Sequence, residues 1–229
     1  MATDIPTRVL AIMAHPDDCE FTSAGTFAKW VAEGSVVEYV LCTSGNKGTW
    51  DPNVTPEKIA AIREQEQLAA AKELGVAQCI FLRHNDGELE TTLKFREELA
   101  LVIRQRKPQV VVTHDPWRHY MIHPDHRAVG FTAIDAVAAA RDHLYYPHQL
   151  RGELTPHRVE ELYLFGPQEP NFWVDISNTF EKKLAALSKH KSQVSAIDDL
   201  RERLRDLSAR WGKPQGLDLA EAFRRVEVL

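Results

Sequence analysis

Residues 9–20 read VLAIMAHPDDCE, a short apolar run followed at once by a polar cluster. An apolar run without alternation is typical of a parallel strand that is buried on both faces. The polar cluster then lies at the carboxyl end of the strand, where open α/β sheets bind their ligands. Pro16 fixes one dihedral of a tight turn in which His15 and Asp18 are the first and fourth residues. We therefore expect these two side chains to converge on one point, while Asp17 leaves at a different angle.

A second polar cluster follows a second apolar run. Residues 109–113 (QVVVT) predict another buried strand, and residues 123–126 (HPDH) open the amphipathic helix that comes next. Pro124 suits the first helical position, so His123 is expected at the cap and His126 in the first turn. Both clusters follow the carboxyl ends of parallel strands and so lie at the same edge of the sheet. Two imidazoles with one carboxylate suit an open site for a divalent transition metal. The predicted ligands are His15, Asp18 and His126.

Each cluster also has a purely structural interpretation. Asp17 or Asp18 could cap a helix, because aspartate is favoured at that position. His123 and His126 could be solvated residues of a first helical turn. Because both clusters lie at the carboxyl ends of strands, we favour the metal site. Zinc is the default ion, and iron(II), cobalt or manganese would also suit these ligands.

Strands and helices alternate along most of the chain. The predicted strands lie at 9–13, 36–42, 78–82, 109–113, 159–165 and 172–176, and the predicted helices at 22–34, 56–74, 92–106 and 124–141. This order predicts an α/β fold, a Rossmann-like, doubly wound and mainly parallel sheet. From residue 194 onward the sequence indicates polar, charged helices. We therefore expect a single domain, residues 1–229, with a core at about 8–193 and a helical C-terminal extension at 194–229.

The composition excludes several classes of protein. The chain is 44% apolar and 27% charged, with a net charge of −5, which argues against a nucleic-acid partner. It contains no apolar run long enough for a membrane span, and residues 1–8 lack the pattern of a signal peptide. We therefore expect a cytoplasmic protein. Three reduced cysteines would fit that compartment, and none is a predicted ligand.

The two clusters resemble the motifs of the PIG-L/LmbE-like de-N-acetylase family. Its first motif, A-H-P-D-D-x-E, is matched at residues 14–20, and its second, H-P-D-H, at residues 123–126. The chain departs from the family at residues 23–25 (SAG), where a glycine pair is common. Weaker matches occur at Thr43–Gly48, Arg63–Glu66, Asp86–Gly87 and His190–Gln193. The resemblance implies an LmbE-like fold, a small-molecule N-acetylated amino-sugar substrate and a homo-oligomer, because the family includes trimers and hexamers.

The clusters and the resemblance lead to one mechanism. The expected reaction is hydrolysis of the N-acetyl group of an N-acetylglucosamine-type amino sugar or its glycoside, by a water that zinc activates. Asp17 is expected to accept a proton from that water as general base. His123 is expected to stabilise the oxyanion and to protonate the departing amine. Asp125 is expected to fix the tautomer of His123.

Four residues are candidates for contact with the substrate. A solvated Arg63 paired with Glu64 or Glu66 is the default for an exposed helix, but the resemblance implies that Arg63 contacts a substrate hydroxyl. Aromatic side chains in the loops at the same edge of the sheet would stack on a sugar or cover the site, although ordinary loop packing explains each of them equally well. These aromatic candidates are Trp50, Trp117 and Tyr120.

Two other functions are kept as alternatives. The same site could hydrolyse another N-acyl amide, such as a secondary-metabolite or drug conjugate. The chain could instead be a catalytically silent homologue that binds a metal, although Asp17 and His123 disfavour this, since a structural metal needs no free base. A nucleotide-binding Rossmann enzyme is disfavoured, because the first strand leads into HPDD and not into a glycine-rich turn.

Overall fold

The computed structural model describes residues 5–229, which form an α/β structure. The strands are β1 (Arg8–Met13), β2 (Val36–Thr43), β3 (Gln78–His84), β4 (Val110–His114), β5 (Glu161–Phe165), β6 (Phe172–Asp175) and β7 (Ala220–Glu227). The helices are α1 (Asp18–Thr22), α2 (Ala24–Ala32), α3 (Pro56–Leu74), α4 (Leu93–Arg106), α5 (Pro124–Ala140), α6 (Phe180–Leu187), α7 (Lys191–Val194) and α8 (Leu200–Gly212). Short 3₁₀ turns lie at Pro147–Gln149 and Lys213–Gln215. None of the helices in this part of the chain combines the length and the apolarity that a membrane crossing requires.

The sheet has seven strands in the order β3-β2-β1-β4-β5-β7-β6. The first five strands of that order pair in parallel, and β7 is antiparallel to both of its neighbours. Val9 and Ala11 of β1 pack in one buried cluster and Leu10 and Ile12 in another, so both faces of the sheet are covered. The predicted Rossmann-like, mainly parallel sheet is confirmed.

The strand order explains where a ligand can bind. The chain runs from β1 outward to β2 and β3, and then returns to the other side of β1 to form β4. The carboxyl ends of β1 and β4 therefore flank the point at which the direction of the chain through the sheet reverses. Open α/β sheets have a crevice at such a point, and ligands bind there. The HPDD turn after β1 and the segment between β4 and α5 meet in this crevice.

The first predicted helix, residues 22–34, is two helices in the structure. α1 begins earlier, at Asp18, and α2 follows after a break at Ser23. The first N–H groups of α2, from Gly25 and Thr26, donate to the buried carboxylate of Glu221 at 3.0 and 2.7 Å. This capping group lies nearly two hundred residues away in sequence, so no local pattern announces the break. Gly25 is required because a Cβ there would collide with Ile176.

The C-terminal extension is only partly helical. α8 has the predicted helical structure, but residues 220–227 form β7, which lies between β5 and β6 in the sheet. The prediction of a helical extension at 194–229 is therefore wrong for these residues. The sequence AEAFRRVE has a weak intrinsic strand preference, and its conformation comes from pairing with two neighbouring strands.

A buried ion pair fastens β7 to the segment behind the HPDD turn. Lys183 of α6 and Glu221 of β7 lie 2.5 Å apart, and both side chains are almost completely buried. The Lys183 ammonium also donates to the carbonyl oxygen of Phe21, at 3.1 Å. Together with the two α2 N–H groups, these contacts satisfy the Glu221 carboxylate from several directions.

We expect Glu221→Ala to lower the free energy of unfolding by about 3–5 kcal/mol, because it leaves a buried ammonium ion without its partner. Glu227→Ala is the matched control, since Glu227 is exposed on the same strand, and should change the free energy by less than about 0.5 kcal/mol. Urea denaturation measures both. A loss below about 1 kcal/mol for Glu221→Ala would contradict the stabilising role of the pair.

Candidate active site

The structure brings the three predicted metal ligands together at the carboxyl ends of β1 and β4. Nδ1 of His15 lies 3.2 Å from Nε2 of His126. Carboxylate oxygens of Asp18 lie 3.6 Å from Nδ1 of His15 and 3.3 Å from Nε2 of His126. Ligand atoms about 2.1 Å from a tetrahedral ion are about 3.4 Å apart. The spacing of these atoms therefore fits one small divalent cation.

Hydrogen bonding also favours this set of ligands. Two ring nitrogens that face each other at 3.2 Å can share only one proton, whereas a cation between them would use both lone pairs. Three other triplets of donor atoms come close enough to share an ion. They are His15 with His123 and His126, Asp18 with His114 and His126, and His15 with Asp86 and Asp125. Asp125 and Asp86 accept backbone N–H groups, from Gly87 and Lys47 respectively, and Asp18 likewise accepts the backbone N–H of His15 at 2.8 Å.

His114, at the end of β4, contacts the site although the sequence suggested no role for it. Its Nε2 lies 3.3 Å from the carboxylate of Asp18 and 3.2 Å from the backbone nitrogen of Ala14, which donates to it. The ring stacks on His126 with 4.3 Å between centroids. Burial lowers the pKa of His114 to about 4, so the ring is neutral near pH 7. His114 therefore packs against both Asp18 and His126.

Asp125 contacts a different histidine from the one expected. Its carboxylate accepts the N–H groups of Gly87 and Leu89, and Oδ2 lies 3.1 Å from Nε2 of His15. The prediction that Asp125 fixes the tautomer of His123 is therefore wrong. The N–H donors come from the loop after β3, and they hold the carboxylate against His15. A carboxylate there keeps the proton on Nε2 and leaves Nδ1 free to bind a metal.

We expect Asp125→Asn to weaken zinc binding by about 10- to 100-fold. The asparagine amide can donate to Nε2 of His15 and so competes with Asp86, whose Oδ1 lies 3.1 Å from the same nitrogen. The tautomer with the proton on the ligand atom Nδ1 then becomes more populated. Glu90→Gln makes the same carboxylate-to-amide change at an exposed position in the loop between β3 and α4, and it serves as the control. Competition titration with a chromophoric chelator measures both affinities. An unchanged affinity in Asp125→Asn would show that this contact does not orient the ligand.

Asp17 has an unusual backbone conformation and is not one of the three candidate ligands. It has a φ of 96°, and among the described residues its side chain makes no capping hydrogen bond, so helix capping does not explain it. Its side chain is 14% exposed, and Oδ2 accepts a hydrogen bond from Arg63 at 3.2 Å. Burial raises the pKa of Asp17 to about 7, and the nearby Arg63 opposes that rise.

Arg63 is buried in the site and does not have the solvated conformation expected by default. Its guanidinium donates to the carbonyl oxygens of Pro16 at 2.6 Å and Gly45 at 3.2 Å. Glu64, one of its two expected partners, instead accepts hydrogen bonds from Arg83. Gly45, which has a φ of +66°, is required here, because a Cβ would overlap the guanidinium. Arg63 therefore ties the HPDD turn to the loop after β2.

A cavity of about 450 Å³ opens beside these residues, which is large enough for a small-molecule ligand. It is lined by His15, Asp17, Asp18, Lys47, Gly48, Arg63, Asp86, Gly87, His123, His126 and Gln193. Asp86, Lys47 and Gln193 are additions to the predicted site, and their sequence signal was the weaker family matches. Gln193 donates to the carbonyl oxygen of Gly48 at 2.9 Å.

The three aromatic candidates lie elsewhere in the described part of the chain. Trp50 is fully exposed and Tyr120 nearly so. Trp117 borders a separate cavity, which Glu169 and Arg224 also line. None of the three aromatic residues lines the cavity beside the candidate ligands. Their contact with a substrate stays a prediction for groups that extend beyond that cavity.

Comparison with known proteins agrees with this geometry. The model of one protein family, described as PIG-L: GlcNAc-PI de-N-acetylase, matches residues 10–137, which include both motifs. The chain belongs to the PIG-L family. The match begins in β1 and ends in α5, so it covers the elements that form the crevice.

Relatives in the PIG-L family are deacetylases of N-acetylglucosamine-type compounds. Diacetylchitobiose deacetylase of Thermococcus kodakarensis is 38% identical over 221 residues, which cover 96% of this chain and 83% of that protein. A 1D-myo-inositol 2-acetamido-2-deoxy-alpha-D-glucopyranoside deacetylase of Mycobacteroides abscessus is 28% identical over 84% of this chain and 83% of its own length. The solved structure of N,N'-diacetylchitobiose deacetylase from Pyrococcus horikoshii, in complex with an inhibitor, has a TM-score of 0.93 at 34% identity and covers 97% of this chain and 84% of that one.

Proposed function

We propose that this PIG-L protein is a metal-dependent hydrolase that removes the N-acetyl group from an N-acetylglucosamine-type amino sugar or its glycoside. The observation that carries the proposal is that a candidate metal-ligand triad and a further carboxylate line the same cavity. The triad is His15, Asp18 and His126, and the carboxylate is that of Asp17. The substrate class comes from the named activities of the relatives.

The ligand atoms fit a divalent cation, and zinc is the proposed ion. When bound, such a cation would polarise the acetamide carbonyl and lower the pKa of a water molecule. Asp17 accepts the proton that this water loses as its oxygen bonds to the carbonyl carbon. Arg63 holds the Asp17 carboxylate in place at Oδ2. The C–N bond then breaks and the nitrogen takes up a proton from Asp17, directly or through His123, so the products are acetate and a free amine.

His123 has the properties of a hydrogen-bond donor to the carbonyl oxygen. It lines the cavity, and its ring packs edge-on against His15 with 4.6 Å between centroids. Burial lowers the pKa of His123, and the neighbouring His15 and His126 lower it further, so the ring is neutral near pH 7. Its Nδ1 is buried and has no hydrogen-bond partner among residues 5–229, so Nε2 is the ring nitrogen that is left to contact a ligand in the cavity. A neutral imidazole can donate an N–H to the oxygen on which negative charge develops.

Release of acetate tests the proposal. The purified protein, loaded in turn with zinc, cobalt, manganese or iron(II), is incubated with N-acetylglucosamine, N,N'-diacetylchitobiose and an N-acetylated amine that carries no sugar. We expect metal-dependent release of acetate and free amine in equal amounts from at least one of the sugars. Turnover of the non-sugar amide alone would favour the hydrolysis of another N-acyl amide. No turnover of any substrate by metal-loaded protein would favour a catalytically silent homologue.

A homo-oligomer and a cytoplasmic location belong to the same proposal. The family resemblance supports a trimer or a hexamer, and the composition supports a location in the cytoplasm. Light scattering coupled to size-exclusion chromatography would measure the mass of the assembly, with about three or six times 26.0 kDa expected.

A further inference from the structure

A chain of buried polar side chains lies behind Asp17 and outside the cavity. The backbone N–H of Asp17 donates to Oε1 of Gln67 at 3.0 Å. Nε2 of Gln67 donates to Oε1 of Glu20 at 3.0 Å, and Oε2 of Glu20 lies 3.1 Å from Nε2 of His190. Gln67, Glu20 and His190 are all completely buried. None of these three is among the described residues that line the cavity, so they do not contact a ligand there.

The Glu20 carboxylate determines which way the Gln67 amide faces. The backbone N–H of Asp17 only donates and the Glu20 oxygen accepts, so the NH₂ group of Gln67 faces Glu20. The amide oxygen then faces the N–H of Asp17. His190 approaches the opposite oxygen of Glu20 and fixes the carboxylate in turn. The chain therefore presents one acceptor at one defined position beside Asp17.

The backbone of Asp17 needs such a constraint. Its φ of 96° lies in the left-handed region, which a residue with a Cβ adopts at a cost and keeps only when its surroundings impose it. Gln67 and Arg63 are four residues apart and lie on the same face of α3. Gln67 holds the backbone of Asp17, and Arg63 holds its carboxylate.

We propose that Gln67, oriented by Glu20 and His190, is a positioning residue that keeps Asp17 in its left-handed conformation and so aims the carboxylate into the cavity. This inference rests on the proposed function, in which Asp17 is the general base. A small displacement of a reacting group reduces the rate strongly, whereas the binding of metal and substrate depends on other residues. The loss of Gln67 therefore acts on kcat and not on KM.

Gln67→Met tests this proposal, because methionine fills nearly the same volume and removes both hydrogen bonds. We expect kcat to fall at least about tenfold, with KM within about twofold of the original value and an unchanged zinc content. Gln65→Met is the matched control, since it makes the same change at an exposed position of the same helix, and it should keep full activity. The substrate is whichever N-acetylated sugar the unmodified protein hydrolyses.

A second readout separates positioning from a general structural effect. In the Asp17→Asn background the base is already absent, so adding Gln67→Met should cause no further loss of kcat. An equal further loss in that background, or a kcat within twofold of the original value in Gln67→Met alone, would overturn the inference. If unmodified protein hydrolyses no N-acetylated compound, the proposed function fails before this test applies.

A crystal structure of the unmodified protein provides a test that does not depend on the folding of any variant. We expect Asp17 with positive φ and the Gln67 amide oxygen within hydrogen-bond distance of its nitrogen. A negative φ at Asp17, or a Gln67 side chain turned away from it, would overturn the inference even if Gln67→Met proved inactive or unfolded.

Discussion

Asp17→Asn is expected to lower kcat by at least about a hundredfold while the bound metal stays at its original level. Asparagine has the shape of aspartate and keeps an oxygen for the hydrogen bond from Arg63, but it cannot accept a proton from water. Asp17 is also not one of the three candidate ligands, so the ion should remain. Acetate release and metal analysis by mass spectrometry on the same preparation measure the two quantities together.

Asp198→Asn is the control for this substitution, because it makes the same change at an exposed position. It should leave both kcat and metal content unchanged. Retention of full activity by Asp17→Asn would refute the assignment of the general base. A loss of metal along with activity would instead place Asp17 among the ligands.

His126→Ala is expected to weaken zinc binding by more than about a hundredfold, because it removes one of the three candidate ligands. Loss of a residue that only orients a ligand usually weakens metal binding by about 10- to 100-fold, and loss of a ligand should cost more. Activity should fall with the metal content and return in part at high zinc concentration. Dialysis against a weak chelator followed by metal analysis measures the binding. His143→Ala is the control, since the His143 side chain is 76% exposed. Stoichiometric zinc in His126→Ala after dialysis would contradict the assignment of the ligand.

The fold and the candidate ligand triad follow from local patterns in the sequence. Uninterrupted apolar runs at β1 and β4 identify buried parallel strands, and the polar residues after each strand must lie at the same edge of the sheet. His15, Asp18 and His126 could therefore be brought together without knowledge of the crossover between the strands. Thr55 and Gly75 likewise mark the ends of α3 by their capping positions.

The contacts around the triad depend on parts of the chain that are distant in sequence. Asp125 pairs with His15 because the loop after β3 supplies N–H donors to it. The sequence between β4 and α5 does not indicate that this loop lies beside Asp125. β7 is a strand because β5 and β6 flank it, although its own sequence carries no clear strand pattern.

Burial of polar side chains on α3 explains why the helical pattern alone predicts a solvated Arg63, whereas the family resemblance implies that Arg63 contacts the substrate. The central sequence of this helix, REQEQ, has no apolar stripe, so its periodicity does not distinguish the buried face from the exposed one. Arg63 and Gln67 are buried because carbonyl, carboxylate and N–H groups of other segments form hydrogen bonds with them. Helical periodicity detects the burial of apolar groups only.

The most direct test of the proposed metal centre is a crystal structure of the zinc-loaded protein, with anomalous scattering recorded at the zinc edge. We expect one ion bonded to Nδ1 of His15, a carboxylate oxygen of Asp18 and Nε2 of His126, with one coordination position not taken by the protein. An ion bound instead between His15, Asp86 and Asp125, or one enclosed by side chains on every side, would contradict it.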